Sequence, residues 1–510
     1  MSGQVGKVYL VGAGPGAPDL ITLRAAAVMR RAEVVVHDSL VSPEVVALAP
    51  ADAELIFAGK RGGVGREFEQ EEINRILVDR ARAGKITVRL KGGDPFIFGR
   101  GGEEAAALAA ANIPFEVVPG VTSAIAAPAF AGIPLTHREY ASSVTFLTGH
   151  EDFAGNPAAA SRWDEIARAA HGATLVILMA SARMRANLER LISAGLPAKT
   201  PAAAIQWGTT AAQKTALATI GTLAEEAARQ GIAAPALIVV GECAEMRREL
   251  YWFEKLPLFG HRIVITRAAS NAAKLARRLR ELGADAIEFP TIETVRPESY
   301  SLIDDALERL NSFDWIVFTS ATGVEAFADR LRARGRDIRE LGQAAIAAIG
   351  PATAARLRKY ALKVTAIPSE YRAEALIGAI GGRIAGARIL IPRAAVAREI
   401  LPTQLREKGA AEVIVAPVYR TVRPARANTP RTRELMASGS IDLVTFTSSS
   451  TVTNFRELVG EIPRGLQAAV IGPITADTAR EAGFEVVVSP VEYTVDALVS
   501  AIVKHFELPG

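Results

Sequence analysis

The chain has very few of the features that mark a secreted or membrane protein. Its 510 residues include one cysteine, Cys243, so no disulfide can form within the chain and a cytoplasmic location is expected. No apolar run approaches the roughly 18 residues of a membrane-spanning helix, and the longest uncharged stretch, 120–136, is interrupted by glycine and proline. The first residues lack the pattern of a signal peptide. These absences predict a globular cytoplasmic protein with no membrane partner.

Dense positive charge and metal-ligand spacings are also absent. The formal net charge is +4 and the isoelectric point about 9.1, but the basic residues are scattered and form no stripe interleaved with aromatics. We therefore expect no nucleic-acid partner. The six histidines and one cysteine show no metal-ligand spacing, so we expect no metal. The basic surplus suits a small polyanionic substrate.

The first half of the chain alternates short β-branched runs with helical patterns. Helices are predicted over 22–32 and 70–83, and strands over 7–11, 33–36, 86–90, 143–147, 174–179, 202–206 and 236–240. Such alternation is typical of α/β sheets covered by helices on both faces. A glycine- and proline-containing stretch, 120–134, is interpreted as a hinge. We therefore predict two lobes, about 1–119 and 120–250, followed by a linker at 251–259.

The second half contains an internal repeat. The run Arg262-Ile-Val-Ile-Thr-Arg267 recurs 126 residues later as Arg388-Ile-Leu-Ile-Pro-Arg393, and Asp314-Trp-Ile-Val-Phe-Thr-Ser320 recurs 128 residues later as Asp442-Leu-Val-Thr-Phe-Thr-Ser448. The pattern predicts two similar α/β domains within 260–510. A cleft between duplicated domains is a common position for a large ligand.

Two glycine-rich segments in the first half follow predicted strands. Gly12, Gly14 and Gly16 are spaced by two and interrupted by proline, which fits poorly with a dinucleotide fingerprint. The second segment is Lys91-Gly-Gly-Asp-Pro95, where glycine backbones would allow close approach of a ligand and Asp94 offers a carboxylate. A tight turn capped by an aspartate is an equally good interpretation of this second segment.

Together these segments resemble the uroporphyrinogen-III C-methyltransferases, within the tetrapyrrole methylases. The resemblance extends over about residues 5–245, and it departs from the family pattern at Ala17. It is carried by Gly14-Pro-Gly-Ala-Pro-Asp-Leu-Ile-Thr-Leu23, the Lys91–Gly102 loop, Val118-Pro-Gly-Val-Thr-Ser-Ala-Ile-Ala126, Gly132-Ile-Pro-Leu-Thr-His-Arg138 and Ala234-Pro-Ala-Leu-Ile-Val-Val-Gly241.

The resemblance implies roles for individual residues. Asp38 would be the proton acceptor and Lys60 the proton donor, while Arg66 and Arg138 are candidates to bind substrate carboxylates, together with Arg89, Lys91 and Arg100. Without the resemblance, Asp38 and Lys60 are ordinary surface charges. The residues implied to contact S-adenosylmethionine are Pro15, Gly92, Gly93, Asp94, Ile97, Thr122, Ser123, Met179 and Gly208. Methionine also fills gaps in cores, so a core position is the alternative for Met179.

The second half resembles uroporphyrinogen-III synthase. The matching features are Phe318-Thr-Ser320, Ile349-Gly-Pro-Ala-Thr-Ala354, Tyr419-Arg-Thr421 and Phe446-Thr-Ser-Ser449. The family implies that domain one comprises about 260–293 plus 424–505, and that domain two comprises about 294–423. Tyr419 is the candidate catalytic hydroxyl. The candidates to bind substrate carboxylates are Thr319, Ser320, Thr447 and Ser448, for which simple helix capping is the alternative.

The predicted protein is therefore a two-lobed tetrapyrrole methylase fold followed by a two-domain α/β synthase. It would close hydroxymethylbilane into uroporphyrinogen III and methylate that product twice, giving precorrin-2 for sirohaem or cobalamin synthesis. The resemblance also implies a homodimer formed through the first half. The alternatives are a methylase of a later corrin precursor and a non-catalytic tetrapyrrole-binding protein.

Overall fold

The fold contains four five-stranded sheets, each packed between helices. The computed structural model describes residues 5–59, 68–149, 157–370, 373–397, 399–424 and 429–507. Two sheets lie in the first half of the sequence and two in the second. The predicted fold class, α/β with two lobes followed by a duplicated pair of domains, is confirmed.

The first sheet is entirely parallel, with the order β3-β2-β4-β1-β5. Its strands are β1 (Val8–Gly12), β2 (Val34–His37), β3 (Glu54–Phe57), β4 (Thr87–Lys91) and β5 (Phe115–Val118). The helices of this region are α1 (Leu23–Met29), α2 (Pro43–Val46), α3 (Gln70–Arg82), α4 (Gly101–Ala110) and α5 (Ser123–Phe130). The predicted hinge at 120–134 therefore contains a helix, α5.

The second sheet is mixed, with the order β6-β7-β10-β8-β9. Its central strand is antiparallel to both neighbours. Its strands are β6 (Ser143–Thr148), β7 (Ala173–Leu178), β8 (Pro201–Gln206), β9 (Lys214–Thr219) and β10 (Ala236–Val240). Its helices are α6 (Pro157–Ala169), α7 (Met184–Ser193), α8 (Leu223–Arg229) and α9 (Arg247–Leu250). The prediction missed β9, whose sequence, Lys214-Thr-Ala-Leu-Ala-Thr219, has few β-branched residues.

The chain starts the third sheet, leaves it to build the fourth, and then returns. It first forms β11 (Arg262–Ile265), α10 (Ala269–Glu281) and β12 (Asp285–Glu288). The fourth sheet follows, with β13 (Glu293–Val295), α11 (Ser301–Glu308), β14 (Trp315–Phe318), α12 (Ala321–Ala333), β15 (Ala345–Ala348), α13 (Pro351–Lys359), α14 (Ala373–Ile380), β16 (Arg388–Ala394), α15 (Ile400–Glu407) and β17 (Glu412–Val422).

The returning chain completes the third sheet. It adds α16 (Thr429–Ala437), β18 (Leu443–Phe446), α17 (Ser449–Val459), β19 (Gln467–Val470), α18 (Pro473–Glu481), β20 (Glu485–Val488) and α19 (Val495–Glu507). The third sheet has the order β12-β11-β18-β19-β20, and the fourth has β13-β17-β16-β14-β15. In the described parts of these two sheets, β13 and β17 form the antiparallel pair and the other neighbouring strands are parallel.

Alternating side chains of the central strands supply the cores on both faces of each sheet. In the first sheet, Val8 and Leu10 pack with Leu77 of α3 on one face, while Val11 packs with Met29 of α1 on the other. Because both faces are covered, these strands are apolar at nearly every position. Burial of this kind fixes the strand register, and with it the residues that stand at the strand ends.

The predicted linker at 251–259 is a packed connection. Phe253 is buried and its ring contacts those of Phe130 and Phe259, with centroids 4.9 and 5.3 Å apart. Leu258 is fully buried in the core of the third sheet. Residues 251–259 therefore join α5 of the first half to the second half through apolar contacts. None of the helices within the described ranges is long and apolar enough to span a membrane.

Candidate active sites

Three glycines bring the ends of β1, β4 and β5 into backbone contact. A side chain at Gly12 would place its Cβ 2.5 Å from Gly120 Cα and 2.6 Å from Gly93 O. A Cβ at Gly120 would lie 2.2 Å from Gly93 O. A residue with a side chain does not fit at such separations. Backbone groups, and not side chains, are therefore exposed where these strand ends meet.

The two glycine-rich loops are joined to each other directly. Gly93 N–H donates to Gly14 O (2.7 Å), and Gly14 N–H donates to Gly93 O (3.2 Å). Asp94 then connects its own loop to the next, because its Oδ1 accepts from Phe96 N–H (2.8 Å) and its Oδ2 from Gly120 N–H (3.0 Å). Both carboxylate oxygens thus hold backbone in place, as the turn-capping interpretation of this segment requires.

A cavity of about 2140 Å³ opens at this edge, and we call it the glycine cavity. It extends to residues of the second half that include Arg280 and Glu293. Asp38 lines it directly after β2, with Oδ1 accepting from Leu40 N–H at 3.0 Å. All nine predicted cofactor residues line it as well: Pro15, Gly92, Gly93, Asp94, Ile97, Thr122, Ser123, Met179 and Gly208.

The second lobe closes the glycine cavity through α5 and the turn after β8. Thr122 caps α5, since its Oγ1 accepts from Ala124 N–H at 3.3 Å. Gly208 packs so closely on α5 that an added Cβ would lie 2.3 Å from the Cβ of Ala127. Ala17 N–H donates to Thr209 Oγ1 (3.1 Å), which joins the first glycine loop to the second lobe.

Strained backbone is concentrated around the same cavity. Seven non-glycine residues of the described ranges have positive φ, and five of them line the cavity: Phe98, Arg100, Met179, Trp207 and Thr209. Met179 is 46% exposed with φ of 55°, so the alternative that it is a core residue is wrong. Residues held in this region cost free energy, and they are concentrated at binding and catalytic sites.

A buried charge cluster below the cavity was missed from the sequence. Glu104 of α4 is fully buried, and its Oε1 accepts from Arg89 Nε (3.0 Å) and Lys91 Nζ (2.9 Å). Burial, with Arg89 nearby, lowers the pKa of Lys91. Arg89 and Lys91 lie on one face of β4, so two adjacent inward-facing cations were a signal that a buried carboxylate must be near.

In the second half, a short connection joins the carboxyl ends of the third and fourth sheets. Residues 289–292 lead from the carboxyl end of β12 to the start of β13. Because β13 is antiparallel to β17, its first residue, Glu293, pairs with Val422 at the carboxyl end of β17. Four residues between strands span at most about 18 Å. We call these two ends the facing edges: Arg267, Thr447 and Ser448 on the third sheet, and Thr319, Ser320, Arg393 and Tyr419 on the fourth.

The hydroxyls of the facing edges differ between the two domains. Ser320 Oγ accepts from Gly323 N–H (2.9 Å), capping α12, and lies 3.1 Å from the hydroxyl of Tyr419. Ser448 stands at the equivalent cap of α17 but makes no side-chain cap bond, and its Oγ lies 3.0 Å from that of Ser450. Among the described residues of the facing edges, the serine–tyrosine hydroxyl pair therefore lies on the fourth sheet.

Two family models match the chain, one in each half. Tetrapyrrole (corrin/porphyrin) methylases match residues 7–224, and uroporphyrinogen-III synthase HemD matches residues 273–500. A porphyrin biosynthesis protein HemD from Ruminiclostridium josui is 37% identical over 98% of both chains. The chain belongs to this family of fused methylase–synthases. It spans about half the length of the siroheme synthases that it also matches.

Other relatives match only the methylase part of the fused methylase–synthase. An S-adenosyl-L-methionine-dependent uroporphyrinogen III methyltransferase from Methanosarcina barkeri is 48% identical over 48% of this chain and 95% of its own. Among solved structures, a uroporphyrin-III C-methyl transferase from Thermus thermophilus, complexed with S-adenyl homocysteine, is 39% identical. It covers 47% of this chain and 99% of its own, with a TM-score of 0.40.

Three predicted residues of the methylase half remain to be placed: two lie outside the described part of the chain, and Arg138 is not among the residues that line the glycine cavity. Lys60 and Arg66 lie outside the described residues. Arg138 is exposed in a turn where His137 stacks on Tyr140, with ring centroids 4.7 Å apart. Their roles in proton donation and carboxylate binding remain predictions.

Proposed function

We propose that the first half transfers two methyl groups from S-adenosylmethionine to uroporphyrinogen III, giving precorrin-2. The second half supplies that substrate by closing hydroxymethylbilane with inversion of the last pyrrole. One observation carries the proposal: all nine predicted cofactor residues line the glycine cavity, beside Asp38 and in the same chain as a duplicated synthase unit. The methyltransferase relative from Methanosarcina barkeri, named for both donor and acceptor, supports it.

The glycine cavity suits the parts of the methyl donor. Backbone groups of Gly92 and Gly93 can approach an adenosine or amino acid closely, and Ile97 and Met179 add apolar surface. The donor supplies an electrophilic methyl group on a sulfonium. The protein's contribution is to hold a pyrrole carbon in line with that methyl group and to keep both in one orientation.

Asp38 is our candidate for the proton acceptor of the methylation. A methylated pyrrole carbon must release a proton, and a carboxylate at the cavity wall can accept it. One oxygen of Asp38 is engaged by the backbone N–H of Leu40, which orients the group. Lys60 is the family-implied donor, and Arg66 and Arg138 are candidates to bind the substrate's carboxylates.

Tyr419 is our candidate for the acid of the synthase reaction. Hydroxymethylbilane must lose its hydroxyl as water. A nearby phenol can donate the proton that the departing hydroxyl needs. The hydroxyl of Ser320 lies 3.1 Å from that of Tyr419 and can orient it or share its proton. Thr319, Thr447 and Ser448 remain candidates to bind substrate carboxylates along the facing edges.

The proposed domain limits follow the sheets. Lobes at about 1–119 and 120–250 each contain one sheet, and the synthase domains at about 260–293 plus 424–505 and at 294–423 each contain another. We further propose a homodimer through the first half and a place in sirohaem or cobalamin synthesis. Light scattering tests the first, and product analysis with downstream enzymes tests the second.

The variant Asp94→Ala separates the two activities. It removes the acceptor for Phe96 N–H and Gly120 N–H, so methylation of supplied uroporphyrinogen III should fall about 100-fold or more, as expected when reacting groups are misplaced. Closure of hydroxymethylbilane should be unchanged. Asp79→Ala, on the exposed face of α3, is the control. If wild-type protein yields no methylated product from hydroxymethylbilane and S-adenosylmethionine, the proposal is wrong.

A further inference from the structure

The two synthase domains place an arginine at equivalent strand ends. Arg267 follows β11 on the third sheet, and Arg393 lies at the end of β16 on the fourth, 126 residues later. The surrounding repeat keeps the same offset from Arg262 with Arg388 to Gly283 with Gly409. The duplication therefore brings two guanidinium groups to the facing edges.

The arginine of the fourth sheet is already neutralised. The side chain of Arg393 is only 5% exposed and forms an ion pair with Glu399, which precedes α15. A buried cation with a carboxylate partner is largely satisfied within its own domain. Glu399 therefore offsets the charge of Arg393 within its own domain, and Arg393 needs a second anion less than an arginine without a carboxylate would.

The arginine of the third sheet has no such carboxylate. The position equivalent to Glu399 holds Ala273, and among the described residues Arg267 has no hydrogen bond or salt bridge. The undescribed residues of the second half, 371–372, 398, 425–428 and 508–510, include no aspartate or glutamate. The guanidinium is half-buried, and that burial lowers its pKa.

A half-buried cation without a carboxylate is costly unless a ligand supplies one. Arg267 stands at the carboxyl edge of the third sheet, and residues 289–292 join that edge directly to the edge that carries Ser320 and Tyr419. A guanidinium can bind a carboxylate through two parallel hydrogen bonds. We propose that Arg267 binds a side-chain carboxylate of the linear tetrapyrrole in the synthase reaction, an inference that rests on the proposed function.

The test compares Arg267→Met and Arg267→Lys in the full-length protein. The KM for hydroxymethylbilane should rise about tenfold or more in Arg267→Met, with a smaller rise in Arg267→Lys, because a lysine keeps the charge but loses the two-bond geometry. The kcat should change less than the KM. Arg277→Met, which removes an exposed arginine paired with Glu281, is the control and should leave both constants unchanged.

Three measurements separate the possible outcomes. Methylation of supplied uroporphyrinogen III should be the same in all variants, since Arg267 lies outside the glycine cavity. An unchanged KM in Arg267→Met overturns the inference, as does a lower melting temperature without a change in KM. If Arg267→Met does not fold, the KM of Arg267→Lys decides in the same way. Wild-type protein that fails to close hydroxymethylbilane would instead refute the proposed function.

Discussion

The glycine cavity and the facing edges are built from different parts of the chain. In the first, Gly12, Gly93 and Gly120 touch through backbone atoms, and five strained non-glycine residues stand around them. In the second, the lining groups are side chains at strand ends, such as Ser320 and Tyr419. A backbone site restricts residue type and spacing together, whereas an edge of side chains restricts only a few positions.

This difference explains why the sequence motifs of the first half are longer and more specific than those of the second half. Where a Cβ would meet backbone at 2.2 Å, the motif around it must be kept, and the first half accordingly carries long motifs. At the facing edges the two domains keep the serine but not its contact, because Ser320 caps α12 whereas the equivalent Ser448 makes no cap bond. If backbone contacts matter more than edge side chains, substitutions of the glycines at the cavity should have larger effects than substitutions at the facing edges.

The largest effect is expected from Gly120→Ala. Its Cβ would lie 2.2 Å from Gly93 O and 2.7 Å from Gly12 Cα, so the three strand ends must separate. We expect methylation to fall about 100-fold or more, since small displacements of reacting groups have effects of that size. Closure of hydroxymethylbilane should persist. Kinetic assays of each activity provide the measurement.

Gly102→Ala is the matched control for that variant. Gly102 lies in α4, and an added Cβ would have no neighbour within 4 Å. It should keep full methylation and unfold at the same or a slightly higher temperature, because alanine favours helices. Equal losses in both variants would contradict the backbone account of the glycine cavity.

The second prediction concerns the buried carboxylate of α4. Glu104→Ala leaves Arg89 and Lys91 buried without their partner, which should lower the free energy of unfolding by about 3–5 kcal/mol. The neighbouring Glu103→Ala breaks only an exposed pair with Arg100 and should lower the free energy of unfolding far less. Urea unfolding of both variants measures the difference, and similar values would show that the cluster is not important.

The third prediction compares the two helix caps of the facing edges. Ser320→Ala removes the cap of α12 and should cost about 1 kcal/mol of stability, whereas Ser448→Ala removes no cap bond and should cost clearly less. Ser320→Ala should also slow ring closure, because Tyr419 loses its neighbouring hydroxyl. A slower reaction in Ser448→Ala alone would reverse this assignment of the two edges.

The smallest expected effect is a pH dependence of stability. Burial lowers the folded-state pKa of Lys91 below its unfolded value of 10.5, so the unfolded chain binds more protons between those two values. The free energy of unfolding should therefore gain a contribution as pH rises from the folded pKa toward 10.5. Lys91→Met lacks that group, and the wild-type minus variant difference in urea unfolding should show the rise. A flat difference would contradict it.

The sequence predicted the fold class because its strands are short, apolar and regularly spaced. The prediction that the chain leaves one synthase domain, builds the other and then returns came from the family resemblance, because the repeat alone is equally compatible with tandem domains. The helix α5 inside the predicted hinge was missed because Pro128 lies within it. The strand β9 was missed because its six residues include no valine, isoleucine or aromatic residue.

The sites were predictable to different degrees. The family resemblance named nine residues that line the glycine cavity, but it did not indicate that the Asp94 carboxylate accepts hydrogen bonds from both Phe96 and Gly120. Arg89 and Lys91 on one face of β4 indicated that a buried carboxylate was near, but they could not identify Glu104, because its position depends on how α4 packs. The sequence alone did not single out Arg267, because its lack of a carboxylate partner is apparent only beside Arg393, which pairs with Glu399.

Binding of the methyl donor tests the central claim most directly. Calorimetric titration of the full-length protein with S-adenosylhomocysteine should detect one site per chain, retained in Gly102→Ala and Arg267→Met and lost in Gly120→Ala. Failure of the wild-type protein to bind this compound would contradict the account, and so would undiminished binding by Gly120→Ala.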